Sequence, residues 1–389
     1  MSQRPKVLFL SSWYPSNEKP LLGIFVKEHA KAVSNFADVL NISFHSTSSV
    51  SKITFNETNE GNLTEWRVLL PVENSFVSKI VSVLNKYKAI KETEQRLALK
   101  GYKPDLVHLQ IVYPAVWILF FIQTLKQIPL IITEHWTGYQ KVDGRYKGFL
   151  LKWITNWVVK RSSMVLTDSK DLGKHMELHR LNAYYNWIPN IVNDTIFNFK
   201  KEIAFNSGDT FKLLHISTLD NQQKNVTGIL DVIDSLIESG KNIELSIVGE
   251  GNDEQLIREY SQALKHRLRI SFLGKKQGVD LADIISNHHA LLMFSRYENM
   301  PVVVLESLAC GRSVISSRVG GIDEIVNENN GVLFSSENTL ECKHAIEKIM
   351  SNYAYYNQLE ISKKCLALVS QDAVSKMHYN FYNKVINFA

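Results

Sequence analysis

The chain has 389 residues, of which 45% are hydrophobic and 21% charged, and its net charge is only +5. Apolar and aromatic residues run through the whole length, which excludes an intrinsically disordered chain. The weak basic excess argues against a nucleic-acid binder. The length predicts two domains, and three cysteines without metal-like spacing indicate a reducing compartment.

The N-terminal half alternates short apolar runs with stretches of helical period. The predicted strands are KVLFLSS (6–12), DVLNISFH (38–45), DLVHLQ (105–110), PLIITEH (129–135) and SMVLTDS (163–169). After the first strand, residues 23–36 predict a helix, because their apolar side chains recur at a period close to 3.6. This alternation predicts a parallel sheet covered by helices.

A polar segment without periodicity, 198–210, predicts a linker, and a second series of strands and helices follows it. The predicted strands of this half are KLLHIST (212–218), IELSIVG (243–249), RISFLG (269–274), ALLMFS (290–295) and SVISS (313–317). We therefore predict an N-terminal Rossmann-like domain over 1–200, a C-terminal one over 201–370, and a terminal helix over 371–389 that packs back on the N-terminal domain. Two such domains facing one another create a cleft at the carboxyl ends of their strands, where ligands bind.

The longest apolar run, residues 111–122, is too short for a membrane span, which needs about 20 residues. It predicts a buried helix. The short apolar run near the N-terminus is interrupted by serines, so it predicts a first strand and not a signal peptide.

Several residues after predicted strands are suited to ligand binding. Lys224 precedes a helix, where a cation can hold a phosphate, and His135 ends a strand. Glycines that let a ligand approach the backbone follow other strands, at Gly23, Gly249 and Gly251. Each has a plainer interpretation as a surface lysine, a structural histidine or a strand-ending turn. Neither a G-x-G-x-x-G nor a Walker sequence is present.

The stretch ENMPVVVLE places two glutamates around the start of a predicted helix. Pro301 suits the first turn of a helix, so Glu298 precedes the helix and Glu306 lies within it. The Glu298 carboxylate can accept ligand hydroxyls while the amides of Asn299 and Met300 donate. Ordinary helix-surface charges are the alternative.

This stretch resembles the E-x7-E motif of the retaining glycosyltransferases of family 4, which have the GT-B fold. The surrounding sequence is similar to the family's donor-binding block, including the small-residue loop Gly320–Gly321. Further blocks follow in the family's order, namely SSWYPSNEKPLLGIFVKEHA (11–30), TEHW (133–136), IPNIVND (188–194), IVGEGN (247–252) and FLG (272–274). The resemblance covers nearly the whole chain.

The resemblance implies a nucleotide-diphosphate sugar as donor, UDP- or GDP-linked, with no bound metal or other cofactor. Glu298, with the amides of Asn299 and Met300, would hold the donor sugar. Glu306 would bind the ribose hydroxyls, and Lys224 would neutralise the diphosphate. The acceptor would attack from the leaving-group face, so that configuration is retained.

The remaining positions follow in the same way. His135 would contact the donor sugar near the reacting carbon, and Gly23 would let the N-terminal loop close on the diphosphate. Gly249 and Gly251 belong to the donor-binding set, and the backbone near Leu273 would face the nucleobase.

The chain departs from the family pattern at one charged position. Members often have an arginine five residues before the lysine, and this chain has Leu219 there. A non-catalytic GT-B partner subunit is therefore the alternative function. Against it, the four side chains that the chemistry needs are all present, namely His135, Lys224, Glu298 and Glu306. A glycoside hydrolase or a nucleotide-sugar epimerase fits less well, the hydrolase because it has no use for a phosphate-binding lysine and glycine turns.

The acceptor implied by the resemblance is a glycan or a lipid-linked sugar in cell-surface polysaccharide biosynthesis. Helix 146–161 has an apolar face flanked by lysines, which predicts a peripheral membrane contact. Its apolar residues are Phe149, Leu150, Trp153, Ile154, Trp157 and Val158. Packing of this helix on the N-terminal sheet is the plainer interpretation. We expect a cytoplasmic protein, at the inner face of the membrane if this contact forms.

Overall fold

The computed structural model describes residues 4–72, 78–113 and 128–386. They form two compact units. The first contains the described residues up to Ile188 and those from Val374 onward, and the second contains Pro189–Ala373. Each unit has its own sheet and its own hydrophobic core.

The strands of the first unit are β1 (Lys6–Ser11), β2 (Asp38–Thr47), β3 (Thr54–Glu60), β4 (Leu63–Pro71), β5 (Leu106–Gln110), β6 (Leu130–Glu134), β7 (Met164–Thr167) and β8 (Tyr185–Trp187). Their order in the sheet is β3-β4-β2-β1-β5-β6-β7-β8. Every neighbouring pair is parallel except β3–β4. Strands β5, β6 and β7 are buried along their whole length. Their sequences are therefore mainly apolar, and the polar residues His108, Gln110 and Glu134 within them are buried too.

Helices cover this sheet. They are α1 (Ile24–Ser34), α2 (Ser78–Leu99), α3 (Phe149–Arg161) and α4 (Lys170–Leu178). The predicted buried helix at 111–122 falls mostly on residues 114–127, outside the described residues. None of the helices in the described ranges is both long and apolar enough to span a membrane.

Sequence reasoning missed the β3–β4 hairpin. Strand β3 is mostly polar and exposed, so it has no apolar pattern. It is an edge strand that forms by pairing with β4 across a turn at Gly61, whose φ is +61°.

The strands of the second unit are β9 (Phe211–Ile216), β10 (Ile243–Val248), β11 (Ile270–Gly274), β12 (Ala290–Met293), β13 (Ser313–Ser317) and β14 (Gly331–Phe334). Their order is β11-β10-β9-β12-β13-β14, and all pairs are parallel. The helices are α5 (Asn221–Lys224), α6 (Val226–Glu238), α7 (Glu254–Gln262), α8 (Gly278–Ser286), α9 (Val302–Ala309), α10 (Thr339–Ser351) and α11 (Gln358–Val369). The prediction of two Rossmann-like α/β domains with parallel sheets is confirmed.

The first boundary between the units lies at Ile188, earlier than the predicted 200. Residues after it join the second unit because Val192 and Phe197 are buried in its core, and Val192 forms a β-bridge with Ser370.

The last helix, α12 (Gln371–Ile386), lies mostly in the first unit. Ser375 Oγ donates to the carbonyl of Ala32 at 2.7 Å. Two further bonds join helix side chains to the unit, His378 Nε2 to His29 Nδ1 at 2.9 Å and Tyr382 OH to His108 Nδ1 at 2.6 Å. These histidines are buried, so the helix forms part of the unit's interior.

Candidate functional site

The strand order of the second sheet reverses between β9 and β12, the place where open parallel sheets bind ligands. Helix α5 follows β9, and a loop leading into α9 follows β12. Across this point Lys224 Nζ donates to Glu298 Oε1 at 2.5 Å. The two side chains are only 11% and 6% exposed. The fold therefore brings together a cation and a carboxylate that are far apart in sequence.

Side-chain hydrogen bonds hold the two loops against each other. The Asp220 carboxylate caps α5 by accepting from the Gln223 amide at 3.1 Å. Gln223 Nε2 in turn donates to the carbonyl of Tyr297 at 3.1 Å and to Glu298 Oε2 at 3.4 Å. The Glu298 carboxylate thus has partners on both oxygens.

The backbone after Glu298 is fixed by a glycine loop. Asn299 and Met300 are buried, and the carbonyl of Asn299 accepts from the Gly321 amide at 2.9 Å. Gly320 has a φ of +57°, and a Cβ there would lie 2.1 Å from the carbonyl oxygen of Glu298. Only glycine lets this loop lie so close to the carboxylate-bearing segment.

Glu306 lies within α9, and its side chain is partly buried. Burial raises the pKa of its carboxyl group to about 7. Among the described residues, no side chain or amide makes a hydrogen bond or ion pair with this carboxylate. It is therefore available to accept hydrogen bonds from a ligand.

The predicted glycines after β10 meet the segment that follows β9. A Cβ on Gly249 would lie 1.8 Å from the carbonyl oxygen of Ser217, and one on Gly251 would lie 2.6 Å from the backbone of Leu219. Leu219 itself is 1% exposed and belongs to the core, so no charge replaces the family's arginine at that position. Leu273 lies in β11 and is half-buried.

His135 follows β6 in the first unit and is buried. Its Nδ1 lies 3.5 Å from Asp168 Oδ2, and its ring packs 4.5 Å from that of Phe25 and 5.6 Å from that of His29. Burial lowers the pKa of His135 to about 3, so the imidazole is neutral near pH 7.

Glu134 supports the backbone that carries His135. Its buried carboxylate accepts from the amides of Val112, His135 and Trp136, at 2.9 to 3.0 Å. The hydroxyl of Tyr139 also donates to it, at 3.1 Å. Burial raises the pKa of Glu134 to about 7, against the effect of these donors.

Gly23 lies between the first loop and α1. Its φ is +70°, and a Cβ there would lie 2.5 Å from the carbonyl group of Trp13. The glycine therefore lets the backbone at the start of α1 lie against the backbone of Trp13.

The structure thus gathers Lys224, Glu298, Asn299 and Met300 at the switch point of the second unit, whereas His135 and Gly23 lie in the first unit. Sequence reasoning missed Glu134 and Asp168 as supporting residues. Both had a signal, since each is the acidic residue at or directly after the end of a buried strand. In the parts of the chain that the structure describes, no group of three or more His, Cys, Asp or Glu side chains is placed to hold a metal ion.

Helix α3 divides the apolar face predicted for 146–161. Ile154 and Val158 are buried in the first unit. Phe149, Leu150 and Trp153 are 84%, 62% and 52% exposed. The packing interpretation therefore holds for one side of the helix, whereas its N-terminal turn leaves apolar side chains exposed.

Two family models match consecutive parts of the chain. "Glycosyltransferase Family 4" matches residues 77–195, and "Glycosyl transferases group 1" matches residues 197–364. Together they account for most of the sequence.

Curated relatives are distant. An uncharacterized glycosyltransferase of Methanocaldococcus jannaschii is 25% identical over 255 residues, covering 64% of this chain and 66% of the relative. The N-acetyl-alpha-D-glucosaminyl L-malate synthase of Bacillus anthracis is 24% identical over 237 residues, covering 58% of this chain and 60% of the relative. The matched region thus spans less than two thirds of the length of either relative.

Solved structures match over nearly the whole chain. Sucrose-phosphate synthase from Thermosynechococcus elongatus superposes with a TM-score of 0.76 at 17% identity, covering 99% of this chain and 100% of that one. HepE of Anabaena, in complex with UDP, superposes with a TM-score of 0.72 at 13% identity, covering 97% and 100%. At such identities the likeness shows the fold. With the two family models, it establishes that the chain belongs to the family 4 glycosyltransferases and has the GT-B fold.

Proposed function

We propose that this glycosyltransferase transfers a sugar from a UDP- or GDP-linked donor to a glycan or lipid-linked acceptor in cell-surface polysaccharide biosynthesis. The reaction retains the configuration of the sugar and needs no metal. The Lys224–Glu298 pair at the switch point of the second unit carries this proposal.

In the ligand-free chain the lysine and the glutamate neutralise each other. A donor replaces this contact, since its diphosphate takes the ammonium group and its sugar hydroxyls take the carboxylate. The lysine then faces the leaving group. Negative charge develops on the diphosphate as the sugar–phosphate bond breaks, so a fixed cation stabilises the transition state more than the bound donor.

Glu306 is the proposed partner of the ribose hydroxyls. Its carboxylate lies on the rigid helix α9, and no described side chain occupies it. Neutral hydroxyls suit such a group, because they can satisfy a partly buried carboxylate without a second charge.

His135 is the proposed contact of the donor sugar near the reacting carbon. Its lowered pKa keeps the ring neutral. A neutral imidazole can accept a hydrogen bond from a sugar hydroxyl or donate one, and it does not repel the positive charge that develops on the reacting carbon.

The first test is a melting-temperature panel with UDP-, GDP-, ADP- and CMP-linked sugars, repeated with Glu306→Ala. A donor at 100 times its dissociation constant adds about 2.7 kcal/mol of stability. We expect a shift with one nucleotide class that the variant loses. Product analysis by NMR then gives the anomeric configuration, and turnover in EDTA tests metal independence. An inverted product or loss of turnover would remove that part of the proposal.

The alternative is a non-catalytic partner subunit, and the apolar Leu219 is the observation that favours it. The alternative would be supported if the chain bound a donor but neither hydrolysed it slowly nor transferred its sugar, and if Lys224→Ala abolished that binding. Turnover with any acceptor would exclude it.

We further propose that the protein works at the inner face of the membrane, through the exposed turn of α3. Phe149, Leu150 and Trp153 protrude there, and the neighbouring exposed basic residues are Lys141, Arg145, Lys147 and Lys152. The one acidic residue of this stretch, Asp143, is already paired with Arg145. An apolar tip surrounded by cations suits anionic headgroups above an acyl layer.

Sedimentation with vesicles tests this contact. We expect the chain to bind vesicles containing phosphatidylglycerol better than purely zwitterionic ones, and Phe149→Ser with Trp153→Ser to abolish binding. Leu268→Ser is the matched control, since Leu268 is 92% exposed in the second unit. Equal binding by both variants would contradict the assignment.

A further inference from the structure

Arg296 lies in the loop after β12, and its guanidinium reaches across to the one-turn helix α5. Nη1 donates to the carbonyls of Asn221 at 2.8 Å and Gln222 at 3.1 Å. Nη2 donates to Asn225 Oδ1 at 3.1 Å, and the backbone amide of Arg296 donates to the carbonyl of Gln223 at 2.8 Å. Arg296 thus contacts four of the five residues 221–225, and the one that it does not contact is Lys224.

These contacts supply what a single helical turn lacks. The last carbonyls of a helix have no partner within it, and they carry a partial negative charge. A turn of four residues is also too short to persist by its own hydrogen bonds. The guanidinium donates to the carbonyl of Gln222 and adds a second donor to that of Asn221, which already accepts from the Asn225 amide at 3.0 Å. It also places a positive charge where these carbonyls would otherwise repel an anion held by Lys224.

The third partner of Arg296 is itself held in place. Asn225 is 7% exposed and has a left-handed backbone, with a φ of +51°. A Cβ on Gly228 would lie 2.7 Å from Asn225 Nδ2, so the glycine leaves the space that the amide fills. The guanidinium therefore meets a rigid acceptor.

The other contact of Arg296 is of a different kind. Nε donates to Glu337 Oε1 at 2.7 Å, and the Glu337 side chain is 64% exposed. Exposed ion pairs contribute little. The bonds to the α5 turn are therefore the ones expected to matter, and Glu337 offers a matched control.

We propose that Arg296 is the positioning residue of the donor diphosphate site: it holds the α5 turn so that Lys224 points at the phosphates, and it offsets the negative end of that turn. The inference rests on the proposed function. In this chain the position often held by arginine is the buried Leu219. The inference assigns Arg296 as a second cation, which contacts the turn that carries Lys224.

Binding of a nucleoside diphosphate and of its nucleoside separates this role from a general structural one. The probes are UDP with uridine, or GDP with guanosine, measured by calorimetry on the full chain. For Arg296→Gln we expect the diphosphate to bind about tenfold more weakly, the effect of about one lost charge-assisted contact, while nucleoside affinity stays unchanged. Arg296→Lys keeps the charge with fewer donors and should fall between, and Glu337→Gln should match the wild type.

Hydrogen exchange of the ligand-free protein gives a second readout. The amides of 221–226 should exchange faster in Arg296→Gln and at the wild-type rate in Glu337→Gln. Equal loss of both ligands, unchanged diphosphate affinity, or unchanged exchange would overturn the role of Arg296 while leaving the donor site intact. Failure of the wild type to bind any nucleoside diphosphate would instead remove the proposed function, and this inference with it.

Discussion

Replacing Lys224 by methionine should destabilise the second unit by about 3 kcal/mol, because it leaves a buried carboxylate without its cation. The Glu298 side chain is 6% exposed, and the neutral amide of Gln223, which also contacts it at 3.4 Å, cannot replace the charge of the lysine. Glu298→Gln should cost a similar amount by stranding the ammonium group, which is 11% exposed. The double variant contains neither charge, and we expect it to recover most of the loss.

The assay can assign the effect to one unit, because all seven tryptophans precede residue 188 in the sequence. Tryptophan fluorescence during denaturant unfolding therefore reports the first unit, while circular dichroism reports both. We expect the circular dichroism transition of each single variant to move to lower denaturant while the fluorescence transition stays in place.

Two results would refute this reasoning. If Lys224→Met unfolded at the wild-type midpoint, the pair would not be desolvated in solution. If the double variant lost the sum of the two single effects, the residues would not be coupled.

Three further predictions concern the glycine loop, the helix carboxylate and the buried histidines. Gly320→Ala should abolish donor binding, because its Cβ would meet the carbonyl of Glu298. The control is Gly208→Ala, at a φ of +95° with open space around it, which should leave the donor-induced shift in melting temperature unchanged. Donor affinity should rise with pH through about 7 as Glu306 ionises, and calorimetry of Glu306→Gln should show weaker binding without this pH dependence. Burial lowers the pKa of five histidines of the first unit below the ordinary 6.5, so their stabilising effect is complete above pH 6.5 and is lost as pH falls. At pH 5.5 each of these histidines should lower the free energy of unfolding of the first unit by about 1.4 kcal/mol. Glu134 partly offsets this loss, because its raised pKa acts in the opposite direction. Fluorescence-monitored unfolding above pH 6.5 and at pH 5.5 checks this prediction. A denaturant midpoint that does not depend on pH would contradict it. These histidines are His29, His45, His108, His135 and His378.

The strands were predictable where burial on both faces makes a sequence signal. Segments such as 130–132 and 164–166 are apolar throughout because parallel strands under helices have no solvent side. The polar strand β3 gave no such signal, since it depends on its partner β4. The order of the short motifs was likewise enough to predict the family, because each motif is local in sequence.

The sequence by itself predicted the two α/β units and the family, and it supplied the candidate residues for a donor site. It placed Lys224 and Glu298 after two different strands but could not pair them, because that contact depends on β9 and β12 being neighbours in the sheet. Only the tertiary structure decided that Leu219 is core, that α3 buries one side and exposes another, and that Arg296 holds the lysine's turn. Burial and hydrogen-bond partners are properties of residues brought together by the chain's path, and no local pattern contains them.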